Sequence, residues 1–203
     1  MSGAQPLTFT ETLPPEEAAR ANFYGLLARL FYAPPDAALL EALAGAEDIE
    51  AEDGDIGEAW QRLAQAAAAA DPEAVREEYE NVFVGTGKAP VTLYTSAYTI
   101  RYSNEVPLVA LRGELAALGL GRREGAGEPE DHIAALCEAM RHFVAEQKRD
   151  LHQQARFFRR WIAPASAPLC AAIEAGASTD FYKTVARFAK AFFQLEQSAF
   201  EML

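Results

Sequence analysis

The stretch PEDHIAALCEAMRHFVAE, residues 129–146, decides the fold class of this chain. Apolar side chains recur along it every three or four residues, which places them on one side of an α-helix. They are Ile133, Leu136, Cys137, Met140, Phe143 and Val144. Pro129 is expected to open this helix, because proline suits the first helical position and the first turn favours acidic residues.

The same helical spacing continues on both sides of this segment. Further helices are predicted at about residues 14–33, 36–43, 60–70, 72–83, 105–118, 149–162, 166–175 and 179–201. No series of alternating, strand-like segments occurs in the sequence, so the predicted fold class is all-α, a helical bundle. The predicted core includes Phe23, Leu27, Phe83, Leu136, Met140, Phe143, Phe188 and Phe192.

The length of 203 residues suits one domain. We expect a flexible tail at residues 1–12 and a single helical domain at residues 13–203. Four glycines, at positions 119, 121, 125 and 127, form the most flexible linker in the chain. This linker predicts a hinge at about residues 119–128, across which the domain could divide into two lobes.

The charge of the chain restricts its partners. It carries 18 Lys and Arg against 30 Asp and Glu, which gives a net charge of −12. Such a surface repels a phosphate backbone, so a nucleic-acid partner is disfavoured. A basic partner fits the charge better.

The first residues, the short apolar runs and the two cysteines predict a cytoplasmic protein. The first residues carry neither the basic nor the apolar segment of a secretory signal, and no apolar run reaches the roughly 20 residues of a membrane span. The two cysteines, Cys137 and Cys170, form neither a disulfide framework nor a metal-binding spacing. We therefore expect reduced thiols and no membrane span.

Sequence features of enzymes are weak. The segment GTGK at residues 85–88 lacks the first glycine and the final Ser or Thr of a phosphate-binding loop. Glu138, His142 and Glu146 share one helix face, but the Glu-x-x-His pairs of a di-iron bundle are missing. No Gly-x-Ser-x-Gly segment occurs either. A helical metal- or nucleotide-binding enzyme remains the alternative class. Its basis is the GTGK segment together with the face formed by Glu138, His142 and Glu146.

The segment GEPEDH, residues 127–132, admits two interpretations. Proline followed by acids starts a helix well. The same acids, beside an imidazole that both donates and accepts hydrogen bonds, could instead receive a guanidinium group. Residue types alone leave the helix start and the binding site equally open.

Three short motifs follow one another along the chain. The first is YxxxFxGxG at residues 79–87, with YTS at 94–96; the second is EPxDHI at 128–133; the third is FFxxW at 157–161. In this order they resemble the TorD/DmsD/NarJ family of redox-enzyme maturation chaperones, and TorD most closely. Many members carry glutamate four residues after the motif histidine. This chain has Leu136 there, so any role of that acid does not transfer.

The resemblance implies an all-helical chaperone that is not an enzyme. Such a chaperone binds the twin-arginine signal peptide and the catalytic subunit of a molybdopterin oxidoreductase. It holds the precursor in the cytoplasm until the cofactor is inserted, and so prevents premature export. An acidic protein with an apolar groove would complement the basic end and the apolar stretch of a leader. The resemblance also implies a monomer, or a domain-swapped dimer that exchanges its lobes across the hinge.

On this resemblance the signal peptide is expected to bind around the EPxDH motif. Asp131 would accept a guanidinium, His132 would help to shape the groove, and Glu128 would be a supporting acid. The expected apolar wall consists of Tyr79, Phe83 and Tyr94. The hinge residues are Gly125, Gly127 and Pro129. No catalytic residue, metal ligand or cofactor is predicted.

Overall fold

The chain is helical throughout most of the residues that the computed structural model describes, which are 13–49, 54–100, 106–121, 127–147 and 149–203. The helices are α1 Pro15–Tyr32, α2 Ala37–Ala44, α3 Gly54–Ala69, α4 Pro72–Tyr79, α5 Ser96–Thr99, α6 Pro107–Ala117, α7 Ile133–Ala145, α8 Leu151–Trp161, α9 Ala163–Glu174 and α10 Phe181–Glu201. No β-strand occurs among the described residues, where a single β-bridge joins Tyr94 to His132. The predicted all-α class is confirmed.

One cluster of buried side chains forms the core. Helix α1 packs mainly on α7, and α10 packs against α3 and α9. Of the predicted core residues, Phe23 and Phe83 are partly buried. Six are fully buried, which confirms their prediction: Leu27, Leu136, Met140, Phe143, Phe188 and Phe192. Aromatic rings meet at the centre, where Phe23 makes edge contacts with Phe188 and Phe192 at centroid distances of 5.3 and 5.5 Å.

Short polar side chains begin several helices. Asp36 accepts a hydrogen bond of 2.8 Å from the backbone N–H of Leu39, and Asp150 accepts one of 2.9 Å from Gln153. Each bond satisfies a donor that has no partner inside the first turn. These caps explain why the predicted boundaries at α2 and α8 agree closely with the structure.

The predicted start of α7 at Pro129 is wrong, because the helix begins at Ile133. The residues before it are held by another part of the chain: the carbonyl of Asp131 accepts a bond of 2.9 Å from the N–H of Thr95, and the N–H of Ile133 donates to Leu93 at 2.9 Å. The Asp131 carbonyl is thus bound to Thr95 rather than to a helical N–H, and the helix begins after it. In α6, the helical spacing predicts that Val109, Leu111 and Leu115 point inside; this is wrong for Val109, which is 64% exposed.

The glycine-rich segment after α4 has a conformational role. A π-helix, Glu80–Val84, continues α4 and ends in Gly85, whose φ is 65°. A Cβ at Gly85 would lie only 2.8 Å from the carbonyl oxygen of Lys88. Glycine is therefore required for the turn itself. The segment follows a helix rather than a strand, unlike a phosphate-binding loop.

The predicted hinge at residues 119–128 stays a prediction. Gly119 has a φ of 76°, in the region that favours glycine, and Gly125 lies outside the described residues. The predicted tail at residues 1–12 also lies outside the described residues and stays a prediction. Within the described part of the chain, no helix is long and apolar enough to span a membrane.

Candidate functional site

The EPxDH segment is bound to the residues just before α5. Besides the two backbone bonds of the bridge, the hydroxyl of Thr95 donates to the carbonyl of Asp131 at 3.1 Å. Two motifs that lie more than 30 residues apart in the sequence therefore form one surface. The bridge turns the side chain of Asp131 towards Ser96 at the start of α5, and that of His132 towards Ala134 in the first turn of α7.

Asp131 is buried and has no cationic partner among the residues that the structure describes. The residue is 6% exposed, and its carboxylate accepts a hydrogen bond from the hydroxyl of Ser96. No lysine or arginine in the described ranges pairs with it. A buried carboxylate without a counter-charge costs free energy, which an incoming cation would recover in part. One hydroxyl also leaves acceptor positions on the two oxygens free for such a guest.

His132 caps helix α7 as a neutral imidazole. Its Nδ1 accepts a hydrogen bond of 3.2 Å from the backbone N–H of Ala134, so Nδ1 carries no proton and Nε2 does. Burial lowers the pKa of His132, although the nearby charges of Glu128 and Asp131 act in the opposite direction. The ring makes an edge contact with Tyr94 at 5.4 Å. His132 therefore positions the motif and the start of α7.

Glu128 is fixed by Tyr94. The phenol of Tyr94 donates a hydrogen bond to the Glu128 carboxylate, and this bond, with some burial, raises the pKa of Tyr94 to about 12. The next acid, Glu130, forms an ion pair of 2.9 Å with Arg112 on α6. The three motif acids thus have different partners: a phenol, a guanidinium and, for Asp131, a hydroxyl.

Tyr79 and Phe83 lie in an aromatic cluster behind this surface. The Tyr79 hydroxyl donates to the carbonyl oxygens of Phe31 and Tyr32 at 3.1 and 2.9 Å, which ties α4 to the end of α1. Burial and the nearby Glu128 raise the pKa of Tyr79 to about 12. The ring of Phe83 packs on Tyr182 at 4.9 Å. The structure does not bring these two aromatics to the groove described next.

A groove of about 460 Å³ opens beside Asp131, between α5, α6 and the end of α8. Its polar lining consists of Thr95, Ser96, Thr99, Asp131 and Arg160. Its apolar lining consists of Val106, Pro107, Ala110, Leu111 and Trp161. Asp131 is the one predicted site residue among them. The groove therefore combines one buried carboxylate with an apolar wall.

Sequence analysis did not predict most of this lining. Ser96 and Trp161 belong to the quoted motifs YTS and FFxxW, so their place in those motifs was a usable signal. Val106 and Arg160 offered no sequence signal for this role, because a valine before a helix and an arginine at the end of one are common on any helical surface. They become neighbours only through the packing of α6 and α8.

The residues behind the metal alternative are paired with other side chains. Glu138 binds Arg141 at 2.6 Å, and His142 lies 2.7 Å from Glu146. In the described parts of the chain, no group of three or more His, Cys, Asp or Glu side chains is placed to hold a metal ion.

Comparison with known proteins identifies a family and a similar fold. The family model "Nitrate reductase delta subunit" matches residues 49–171, more than half of the chain. The fold is similar to the crystal structure of a redox enzyme maturation protein from Archaeoglobus fulgidus, with a TM-score of 0.57 and 20% sequence identity. That alignment covers 94% of this chain and 99% of the other. No curated protein matches the sequence.

Proposed function

This chain belongs to the nitrate reductase delta subunit family, which comprises maturation chaperones of molybdoenzymes rather than catalysts, and on that premise we propose that it binds a twin-arginine signal peptide. The peptide would be the leader of the catalytic subunit of a molybdopterin oxidoreductase. By holding it in the cytoplasm, the chaperone would delay export until the cofactor is inserted.

The observation that carries this proposal is the buried carboxylate of Asp131 in an apolar groove, where no lysine or arginine of the described residues forms an ion pair with it. A twin-arginine leader presents the complementary pair of features, guanidinium groups followed by an apolar stretch. A guanidinium can form two parallel hydrogen bonds with one carboxylate, and such charge-assisted bonds are the strong ones. The net charge of −12 would also attract the basic end of the leader from a distance.

The apolar stretch would lie against the wall formed by α6 and Trp161. Val106, which lines the groove, is 66% exposed, which is unusual for valine and leaves apolar surface for a guest to cover. Covering it would contribute about 25 cal/mol for each Å² removed from water. Glu128, fixed by Tyr94, would be the second acid near the leader arginines.

Titration calorimetry with synthetic leaders tests this function. A leader with two arginines and an apolar stretch should bind with micromolar or tighter affinity, about −8 kcal/mol. Two matched peptides should bind more weakly, one with glutamine in place of both arginines and one with a charged residue in the apolar stretch. If no leader produces heat or stabilises the protein against thermal unfolding, the proposal is refuted.

A further inference from the structure

Helix α6 is weakly packed against the rest of the fold. Of its eleven residues, Leu111 alone is fully buried, and Leu115 is partly buried. Helix α8, on the other side of the groove, buries four of its eleven residues. The short helix α5 buries none, but Thr95 at its start is held by the bridge to Asp131. Apolar burial is the main source of attachment between helices, so α6 is held more weakly than α8.

Polar contacts on the surface supply much of the remaining attachment. Glu114 of α6 accepts hydrogen bonds from Arg160 at 2.9 Å and from the indole N–H of Trp161 at 3.0 Å. The guanidinium of Arg160 lies over the Trp161 ring at 4.8 Å. We call these three residues the α6 clasp. One turn further on, at the C-terminus of α6, Arg149 donates to the carbonyl of Leu118 at 2.8 Å.

The groove in this arrangement encloses only a small part of the guest. An α-helix with its side chains is about 11 Å in diameter, so 460 Å³ encloses about one helical turn. An apolar leader segment is several turns long, so a wider groove would cover more of it. Asp131 is held by the bridge to Thr95, and α8 is anchored by the fully buried Phe157 and Phe158, so α6 is the wall whose movement would widen the groove.

We propose that α6 is a movable wall, which separates from the end of α8 to admit the apolar segment of a leader while the adjacent cation pairs with Asp131. This inference rests on the proposed function, because the occupant is the leader assigned there. The charge of Asp131 selects that occupant, since it is the groove carboxylate without a cation among the described residues, whereas Arg160 is neutralised by Glu114.

Opening would precede binding, so the α6 clasp would control the rate of association. When only a small fraction of the protein is in the open conformation that can bind, the association rate and the affinity are both reduced by that fraction. Weakening the clasp raises the open fraction. An exposed ion pair and one hydrogen bond together correspond to roughly a fivefold change in that equilibrium.

The test compares Glu114→Ala with Glu58→Ala. Glu58 forms an exposed ion pair with Arg62 on α3, away from the groove, so both variants lose one ion pair and one negative charge. Hydrogen exchange is measured at residues 107–117 in the free proteins. Association of a fluorescent leader with two arginines and a leucine-rich stretch is measured by stopped flow.

Glu114→Ala should exchange α6 amides about fivefold faster than wild type and bind the leader about fivefold faster. Glu58→Ala should change neither quantity, apart from a small charge effect on association that both variants share. Trp161→Phe, which keeps the apolar wall and removes the indole donor, should give a smaller change in the direction of Glu114→Ala.

Failure of the two proposals can be told apart. If wild type binds no leader, the proposed function fails, and the present inference fails with it. If wild type binds the leader but Glu114→Ala matches Glu58→Ala in both measurements, α6 is a fixed wall and only the present inference is overturned.

Discussion

The carboxylate of Glu78 on α4 accepts a hydrogen bond of 2.7 Å from the backbone N–H of Tyr182, in the first turn of α10. It also accepts bonds from the N–H groups of Asp180 and Phe181 at 2.9 and 3.0 Å. The side chain of Asp180 makes no cap of its own. A residue about 100 positions earlier thus satisfies three donors of the longest helix and complements its positive end.

We expect Glu78→Ala to lower the free energy of unfolding by about 1–2 kcal/mol, the range for loss of a strong helix cap. Urea denaturation monitored by circular dichroism measures this directly. Glu77→Ala is the matched control, because Glu77 has the same charge one position away and is exposed. Equal stability of the two variants would mean that water replaces the cap at little cost.

A second prediction concerns the buried ion pair of Arg20 and Glu196, which joins α1 to α10. The carboxylate of Glu196 is 2% exposed and accepts bonds from Arg20 at 2.7 and 2.8 Å and from the Tyr24 hydroxyl at 2.7 Å. Glu196→Ala should cost about 3 kcal/mol, the lower end of the range for breaking a buried pair, because the Tyr24 hydroxyl loses its acceptor while Arg20 keeps only its bonds to Glu17 and Gln154.

Replacing Arg20, Tyr24 and Glu196 together separates the cost of breaking this contact from its net contribution to stability. The triple variant Arg20→Met, Tyr24→Phe, Glu196→Leu should regain most of the stability lost in Glu196→Ala, because apolar groups of similar size fill the site. Urea denaturation of both variants is the measurement. A triple variant as unstable as Glu196→Ala would show that the ion pair itself stabilises the fold.

A third prediction concerns pH. Burial lowers the pKa of His132 in the folded chain below the value of about 6.5 that it has when unfolded. Below pH 6.5 the unfolded chain therefore binds the proton more readily than the folded one. The contribution of neutral His132 is complete above pH 6.5 and is lost progressively as the pH falls towards the folded pKa.

Protonation would also place a hydrogen on Nδ1, which could then no longer accept the Ala134 bond. Unfolding free energies measured from about pH 7.5 to 5.5 should fall in wild type and fall less in His132→Asn, because an asparagine oxygen can cap the helix without titrating. His152→Asn, at an exposed position, is the control and should retain the wild-type slope. A wild-type slope in His132→Asn would assign the titration to other groups.

Helices α7 and α10 could be predicted from sequence because their apolar periodicity is long and local. The start of α7 could not, because the bridge that displaces it comes from Leu93 and Thr95, whose pairing is not visible in the spacing of either segment. The exposure of Val109 could not be predicted either, because it also depends on contacts with other parts of the chain. Helix α6 has apolar residues on more than one side, and only the packing determines which of them faces the groove.

Part of the candidate site was predictable for the same reason. Asp131 was identified from its motif, and the structure places it in the groove. The sequence could not show that Asp131 has no cationic partner among the described residues, because that depends on which side chains the fold brings near it. His132, which was expected to help shape the groove, uses Nδ1 for the α7 cap.

The last prediction sets stability against binding at Asp131. Asp131→Asn keeps an oxygen that can accept the Ser96 hydroxyl and removes a buried charge that no described cation compensates. The free protein should therefore be as stable as wild type or slightly more stable, whereas leader affinity should fall by about 1.5–3 kcal/mol, the range for hydrogen bonds to charged groups.

Salt distinguishes this loss from a general disturbance of the groove. Raising the ionic strength from about 0.05 to 0.5 M should weaken the wild-type complex more than the Asp131→Asn complex, because screening acts on the charge pair that the variant lacks. His132→Ala is the comparison, since it should lower stability by about 1 kcal/mol through loss of the cap while keeping the Asp131 charge. Calorimetric titrations and urea denaturation of the three proteins give all the quantities. Leader affinity of Asp131→Asn within twofold of wild type would place the leader arginines away from Asp131, and would make Glu128 the next acid to replace.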